Sequence, residues 1–121
     1  MKPARARPPD EIPPIEFFTR WVPEAVAQDP ERRRRLGGTH AVVQFELVGD
    51  GGGFYGVRIA DGSVEGFAGQ DPDPDLRVQV DVPTWRELNR GSMSAPEALL
   101  RRRVHLHGNF VLALKLHLIL G

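Results

Sequence analysis

His105 and His107 come nearest to a spacing that could do chemistry. They alternate with Val104 and Leu106, so both imidazoles share one face of a short strand, an arrangement that can place two nitrogens on a metal. A third ligand would have to come from His40, His117 or a carboxylate, and no motif fixes which. The shared face is opposite the apolar one, so the pair is expected in solvent. Asp71, Asp73 and Asp75 sit in a loop broken by Pro72 and Pro74. That loop lacks the bidentate glutamate of a calcium site and is a poor place for tuned acid–base work. Gly49-Asp50-Gly51-Gly52-Gly53 has the glycines of a phosphate cradle, but no Lys-Ser/Thr follows and the run joins two strands. Arg32 to Arg35 point in different directions on a short helix and are expected to be solvated, their stems on the core. Arg101 to Arg103 read as snorkelling surface charge, with a headgroup or coenzyme phosphate contact as the second reading. The chain has no cysteine, no nucleophile elbow and no dinucleotide fingerprint, and no catalytic, metal or cofactor site emerges.

The totals narrow the class further. The 121 residues suit one domain with a real core. The 16 basic and 16 acidic residues cancel, so nothing global favours nucleic acid or an anionic membrane. No secretory apolar region follows Met1, and the expectation is a cytoplasmic protein.

The elements that would position any site read as follows. Residues 1–12 are Pro-rich and charged, and are expected to be a disordered tail before a domain spanning 13–121. From Pro13 to Gln28, apolar residues recur at helical spacing, with Pro23 dividing two short helices. Asp29-Pro30 opens a third helix that ends at Gly37-Gly38. His40–Val48, Phe54–Ala60, Ser63–Ala68 and Leu76–Asp81 alternate apolar and polar residues and read as a four-strand meander. Asp81 caps a short helix over Pro83–Asn89, and Ser94-Ala95-Pro96-Glu97 is a capping box opening another. Val104 to His107 is a fifth strand. Each strand has one apolar face, which predicts an α+β two-layer domain: a mostly antiparallel five-stranded sheet with helices on one face.

Asn109 then caps a terminal helix over Phe110–Leu120. Its only strongly polar residues, Lys115 and His117, are two positions apart and fall on different sides. A surface helix has a polar face opposite its apolar stripe, and this one has none. It is too short to span a bilayer, which takes about 20 apolar residues. It therefore asks to be covered on most sides, by its own domain, an apolar ligand or a partner.

Several stretches, in order, resemble the sterol carrier protein type 2 family. They are Phe54-Tyr55-Gly56-Val57-Arg58-Ile59-Ala60-Asp61-Gly62, Asp73-Pro74-Asp75-Leu76-Arg77-Val78, Thr84-Trp85-Arg86-Glu87-Leu88, the run from Gly91 to Leu99, and Val104 to Asn109 leading into the leucine helix. Asn109 stands where the family pattern has Asp, and both residues cap helices. The resemblance implies a five-stranded sheet with helices on one face and a hydrophobic tunnel between the layers. It also implies a non-enzymatic carrier of sterols, fatty acids, fatty acyl-coenzyme A or isoprenoids, with transient membrane contact and no nucleic acid partner. Carried over by position, the tunnel residues are Trp85, Leu88, Met93, Leu99, Leu100, Phe110, Leu112, Leu116 and Leu120, each of which could equally be plain core. The competing expectation is an accessory or dimerisation module of a lipid- or quinone-metabolising assembly, its last helix covered by a second copy or an enzyme partner.

Overall fold

The alternation of Val43, Phe45 and Leu47 with Gln44 and Glu46 builds the central strand of the sheet. The structure, a computed structural model, describes residues 7–120, with side chains described to His117. The helices are α1 (Pro14–Glu16), α2 (Val22–Gln28), α3 (Pro30–Leu36), α4 (Val82–Arg90), α5 (Ala95–Leu100) and α6 (Phe110–Leu120). The strands are β1 (Ala41–Val48), β2 (Gly53–Ala60), β3 (Ser63–Ala68), β4 (Leu76–Asp81) and β5 (Val104–Gly108). They form one sheet in the order β3-β2-β1-β4-β5. The α+β class and the five strands are as the sequence predicts.

The meander stops at β3. β4 returns to the other side of β1 and pairs with it in parallel, Val43 opposite Leu76 and Leu47 opposite Val80, while the other three pairings are antiparallel. Alternation determines which face each side chain takes and says nothing about which strand is its neighbour. The residues between β3 and β4 must pass β2 and β1, three strand spacings or about 14 Å. Gln44 holds them on the outer face: its Nε2 donates to the carbonyls of Tyr55 and Gly69, each at 2.9 Å, and its Oε1 accepts from the Asp71 N–H at 2.6 Å. That explains why Gln44, on the polar face, is 98% buried from solvent, at 2% relative exposure. Gly56 opposite it has no room for a Cβ beneath the Phe67 ring, and Arg58 lies over that ring at 4.1 Å.

Two helical expectations change. Pro23 does not split the first helical run. The run passes from α1 through a π-helical turn, Phe17–Trp21, straight into α2. The Val22 N–H reaches back to the Phe17 carbonyl, and this wider turn makes room for a proline that has no N–H to donate and would clash in a regular helix. Arg32 is buried rather than solvated: it is one turn before buried Leu36 on the core face of α3, with Nε 3.5 Å from Asp29 Oδ2. Arg33, Arg34 and Arg35 are exposed as expected.

The tail also differs where it is described. Residues 1–6 of the expected disordered stretch lie outside the described residues. Ile12, however, is buried in the core, and Arg86 Nη1 donates to the carbonyls of Asp10 and Ile12 at 3.2 and 2.6 Å. One apolar side chain and one guanidinium suffice to bring the end of a polar stretch onto the domain.

The caps behave as read. Asp29 Oδ1 accepts from the N–H groups of Glu31 and Arg32. Ser94 Oγ accepts from the Glu97 N–H at 3.2 Å, while the Glu97 carboxylate turns to Arg101 at 3.1 Å. Asp81 takes the Thr84 N–H at 2.8 Å on one oxygen and the Thr84 hydroxyl at 2.9 Å on the other. Burial pushes the Asp81 carboxyl up. The Thr84 N–H and hydroxyl, its own N–H and the charge of Arg103 outweigh that and hold it below the ordinary value of 3.8. A depressed folded-state pKa means that the unfolded chain binds the proton more tightly. The stabilisation is therefore complete above the ordinary value and is lost as pH falls through the folded one. Urea midpoints should accordingly fall on acidification below about pH 4, less steeply in Asp81→Asn, and Asp81→Ala should cost about 1 kcal/mol at pH 7.

Between the layers the rings are dense. Phe18 stacks on Tyr55 at 5.4 Å and 3°, meets Phe45 at 4.9 Å and lies parallel to Trp85 at 6.3 Å; Phe17 bridges Trp21 and Trp85. These aromatics and the inner sheet residues Val43, Leu47, Val57, Ile59, Leu76 and Val80 form one core with Val22, Val26 and Leu36.

Candidate functional site

Terminal helix α6 begins where Asn109 Oδ1 accepts the Leu112 N–H at 3.1 Å, the cap read from the sequence. The start is fixed to the sheet through Asp75. The Asp75 carbonyl accepts the Asn109 N–H at 2.9 Å and its carboxylate accepts the Val42 N–H at 2.7 Å, while its own N–H donates to the Val42 carbonyl. From there α6 packs on β4 and β5 and beside α3. Leucine at 112 and 116, one turn apart, forms the face that enters the core. The opposite face, Phe110, Val111 and Leu114, is 63%, 75% and 61% exposed. Lys115 leaves the side of the helix and donates to Thr39 Oγ1 at 2.8 Å. The Nδ1 of half-buried His117 is covered and meets no hydrogen-bond partner among the described residues.

The positions carried over from the resemblance divide. Trp85, Leu112 and Leu116 come together in one buried cluster, and Met93 is buried after α4. Leu88 is half-buried. Leu99, Leu100 and Phe110 are not brought inside; they are 42%, 86% and 63% exposed. The side chain of Leu120 lies outside the described residues. The reason for the division is geometric. Six residues of α5 rest on β5 through fully buried Ala98, which leaves the next two leucines on the outside.

The described residues line a cavity of about 240 Å³ at the start of α6, bounded by Thr39, His40, Ala41, Asp75, Asn109, Val111, Leu112 and Lys115. Of these, only Leu112 is among the positions carried over from the resemblance, and His40 was named only as a possible metal ligand. The signal was present but not readable: Thr39 precedes β1 and Asp75 precedes β4, and only the parallel pairing of those strands sets their beginnings side by side. His105 and His107 are exposed on the outer sheet face, across from Gln79 and Arg77, as their alternation predicts.

Known proteins share this architecture. A sec-alkyl sulfatase structure superposes with a TM-score of 0.71 at 18% identity, over 93% of this chain and 16% of that one. Palmitated SCP2L2 from Aedes aegypti gives 0.66 at 20% identity, over 87% of this chain and 92% of that one. A UbiJ-SCP2 ubiquinone synthesis protein gives 0.60 at 12% identity, over 82% and 84%. The chain thus spans about a sixth of the sulfatase, 16% of its length. Identities this low establish a shared fold. No curated protein matches the chain in sequence. The model of the SCP-2 sterol transfer family matches residues 22–121, which takes in every strand, the two helices around Trp85 and Ala98, and the leucine-rich end. On that match, over most of its length, the chain belongs to the SCP-2 sterol transfer family.

Proposed function

We propose that this protein is a non-catalytic carrier of a hydrophobic lipid, a fatty acid, fatty acyl-coenzyme A, sterol or isoprenoid, taken up in a tunnel between α6, α4 and the sheet. The observation that carries the reading is α6 itself. A helix with no polar face has one side, Leu112 and Leu116, in the core against the layer that holds Trp85. Its remaining apolar surface exceeds what the fold covers. Family membership and the palmitated relative from Aedes aegypti support it. Trp85, Leu88, Met93, Leu112, Leu116 and Leu120 are the proposed lining. Leu99, Leu100 and Phe110 would meet a ligand only at its exposed end. Desolvation would drive binding, at about 0.8 kcal/mol for each buried methylene before ordering costs. Selectivity would follow shape, with the covered Nδ1 of His117 as a polar point for a hydroxyl or carboxylate.

A second reading has its own support. The sulfatase and the ubiquinone synthesis protein are relatives by fold whose names place the fold in an enzyme and in a biosynthetic role. As an accessory module, this chain would have the exposed face of α6 covered by a protein. Native mass spectrometry of gently purified protein, followed by organic extraction, separates the two. Near one lipid per chain is expected. Protein that stays lipid-free after exposure to a lipid mixture and runs as a tight dimer would replace the carrier reading with the module.

A further inference from the structure

The strap that precedes the first helix, Arg7 to Pro13, has no role in the carrier site as described. It also lies before residues 22–121, which the family model matches. Of its side chains only Ile12 is buried, and Pro8 is half-buried. The Arg7 guanidinium packs against Gly91, the left-handed residue that ends α4. The Ile12 N–H closes a turn on the Pro9 carbonyl at 3.2 Å. Arg86 then fastens the strap. Its Nη1 donates to the carbonyls of both Asp10 and Ile12, at 3.2 and 2.6 Å. The same guanidinium lies 4.8 Å above the Trp85 ring, and Trp85 is a proposed lining residue, so the fastening rests directly on the proposed site.

The strap crosses a seam in the helical layer. α4 packs on β4 and β1, while the π-helical turn packs on β3 and β2. Phe17 meets Trp85 edge-on at 5.2 Å across that seam, and Phe18 lies parallel to it. Ile12 belongs to the same buried cluster as Phe18 and Trp85. On its way from α4 to α1 the chain therefore passes over the seam and sets one apolar side chain into it. Segments held by few buried contacts open most readily. Pro8, Pro9, Pro13 and Pro14 restrict the backbone on both sides of Ile12, so the strap would swing as a stiff piece.

We propose that this strap is a gate on the space between the layers, with Ile12 as its plug and Arg86 as its latch. A lipid enters and leaves between α4 and the N-terminal helical run when Arg86 releases the two carbonyls and Ile12 swings out. The gate rests on the carrier reading for its cargo. It predicts a kinetic signature of its own. A gate that does not touch the cargo opens equally in the empty and the filled protein, so it sets both rates and leaves the affinity unchanged.

The test is stopped-flow mixing of the full chain with cis-parinaric acid, and separately with dehydroergosterol. Quenching of tryptophan emission reports entry, and a chase with excess cyclodextrin reports release. Arg86→Gln removes the charged fork, and Ile12→Ser removes the plug; neither is a proposed lining residue. Each should speed entry and release alike by about tenfold, the scale of losing a charge-assisted hydrogen bond or a buried aliphatic group, with Kd held within about twofold. Arg20→Gln, an exposed arginine paired with Glu16 in the adjoining helical run, is the control and should keep wild-type rates. Hydrogen exchange of the amide at position 12, followed by nuclear magnetic resonance, should quicken in both variants, and circular dichroism checks that they are folded. Wild-type rates in variants whose position-12 amide exchanges faster overturn the proposal, since the strap then opens without admitting a lipid. Unchanged exchange in Arg86→Gln overturns it too, because the latch is then elsewhere. So does faster release with unchanged entry, which marks a ligand contact instead of a gate. Failure of the carrier reading looks different: wild type and folded variants all take up neither probe, and the gate falls with it.

Discussion

Phe18→Ala should lower the unfolding free energy by about 3–5 kcal/mol, the range for deleting a buried aromatic. Phe18 is 1% exposed and is the ring that Phe17, Phe45, Tyr55 and Trp85 share. Removing it leaves a cavity between rigid neighbours, the β1–β2 pair on one side and the π-helical turn on the other, so little collapse can fill it. Urea unfolding followed by tryptophan fluorescence measures the loss, with Leu100→Ala as the comparison. Leu100 is 86% exposed, and its truncation should move stability by no more than about 0.5 kcal/mol. A loss under about 1 kcal/mol for Phe18→Ala would mean that the aromatic layer does not hold the helices to the sheet. The variant also bears on function. The space opened lies between the layers proposed to hold a lipid. A ligand that binds the folded state alone should raise stability by RT ln(1 + L/Kd), with L its free concentration.

Gly66→Val should be as damaging, for the opposite reason. Gly66 is on β3, and the start of the helical run crosses it so closely that a Cβ would overlap the Phe18 carbonyl and come within 2.8 Å of Thr19 Cα. Both neighbours are backbone, which cannot rotate aside as a side chain can. The helix must lift from the strand, and that separates Phe18 from Tyr55. Overpacking in cores costs about 1–3 kcal/mol, and a backbone collision that also opens the aromatic layer should reach the upper end or exceed it. Gly38→Ala, where a Cβ meets nothing within 4 Å, is the matched control and should be near neutral. A lowered midpoint confined to Gly66→Val would establish this glycine as a packing surface. Equal stability in the two variants would show that the helix seats itself elsewhere.

These contacts mark how far the chain could be read in advance. The inner faces of β1, β2, β4 and β5 were legible, because alternation assigns Val43, Val57, Ile59, Leu76, Val80, Val104 and Leu106 to one side whatever their neighbours are. The caps at Asp29, Asp81, Ser94 and Asn109 were legible because each bond closes within three residues. So was the oddity of α6, since the lack of a polar face is a property of its own residues. Of the positions carried over from the family pattern, Trp85, Met93, Leu112 and Leu116 are buried, as core residues and tunnel residues alike would be.

The remainder depended on contacts between distant parts of the chain. Pairing β4 with β1 instead of β3 rests on a loop carried over the sheet by the Gln44 amide, and a buried glutamine on a polar face has no local signature. Gly66 reads as a weak strand residue until the helix that crosses it is in place. Leu99 and Leu100 were carried over from the resemblance as tunnel residues, but a helix of six residues on an edge strand buries only one side and leaves both exposed. Sequence by itself determined the alternating period of the central strands and the capped starts of α3, α4, α5 and α6, because those follow from the neighbouring few residues. Tertiary structure decided which elements meet and which apolar residues are left outside. Those outcomes follow from competition among surfaces for a limited interior.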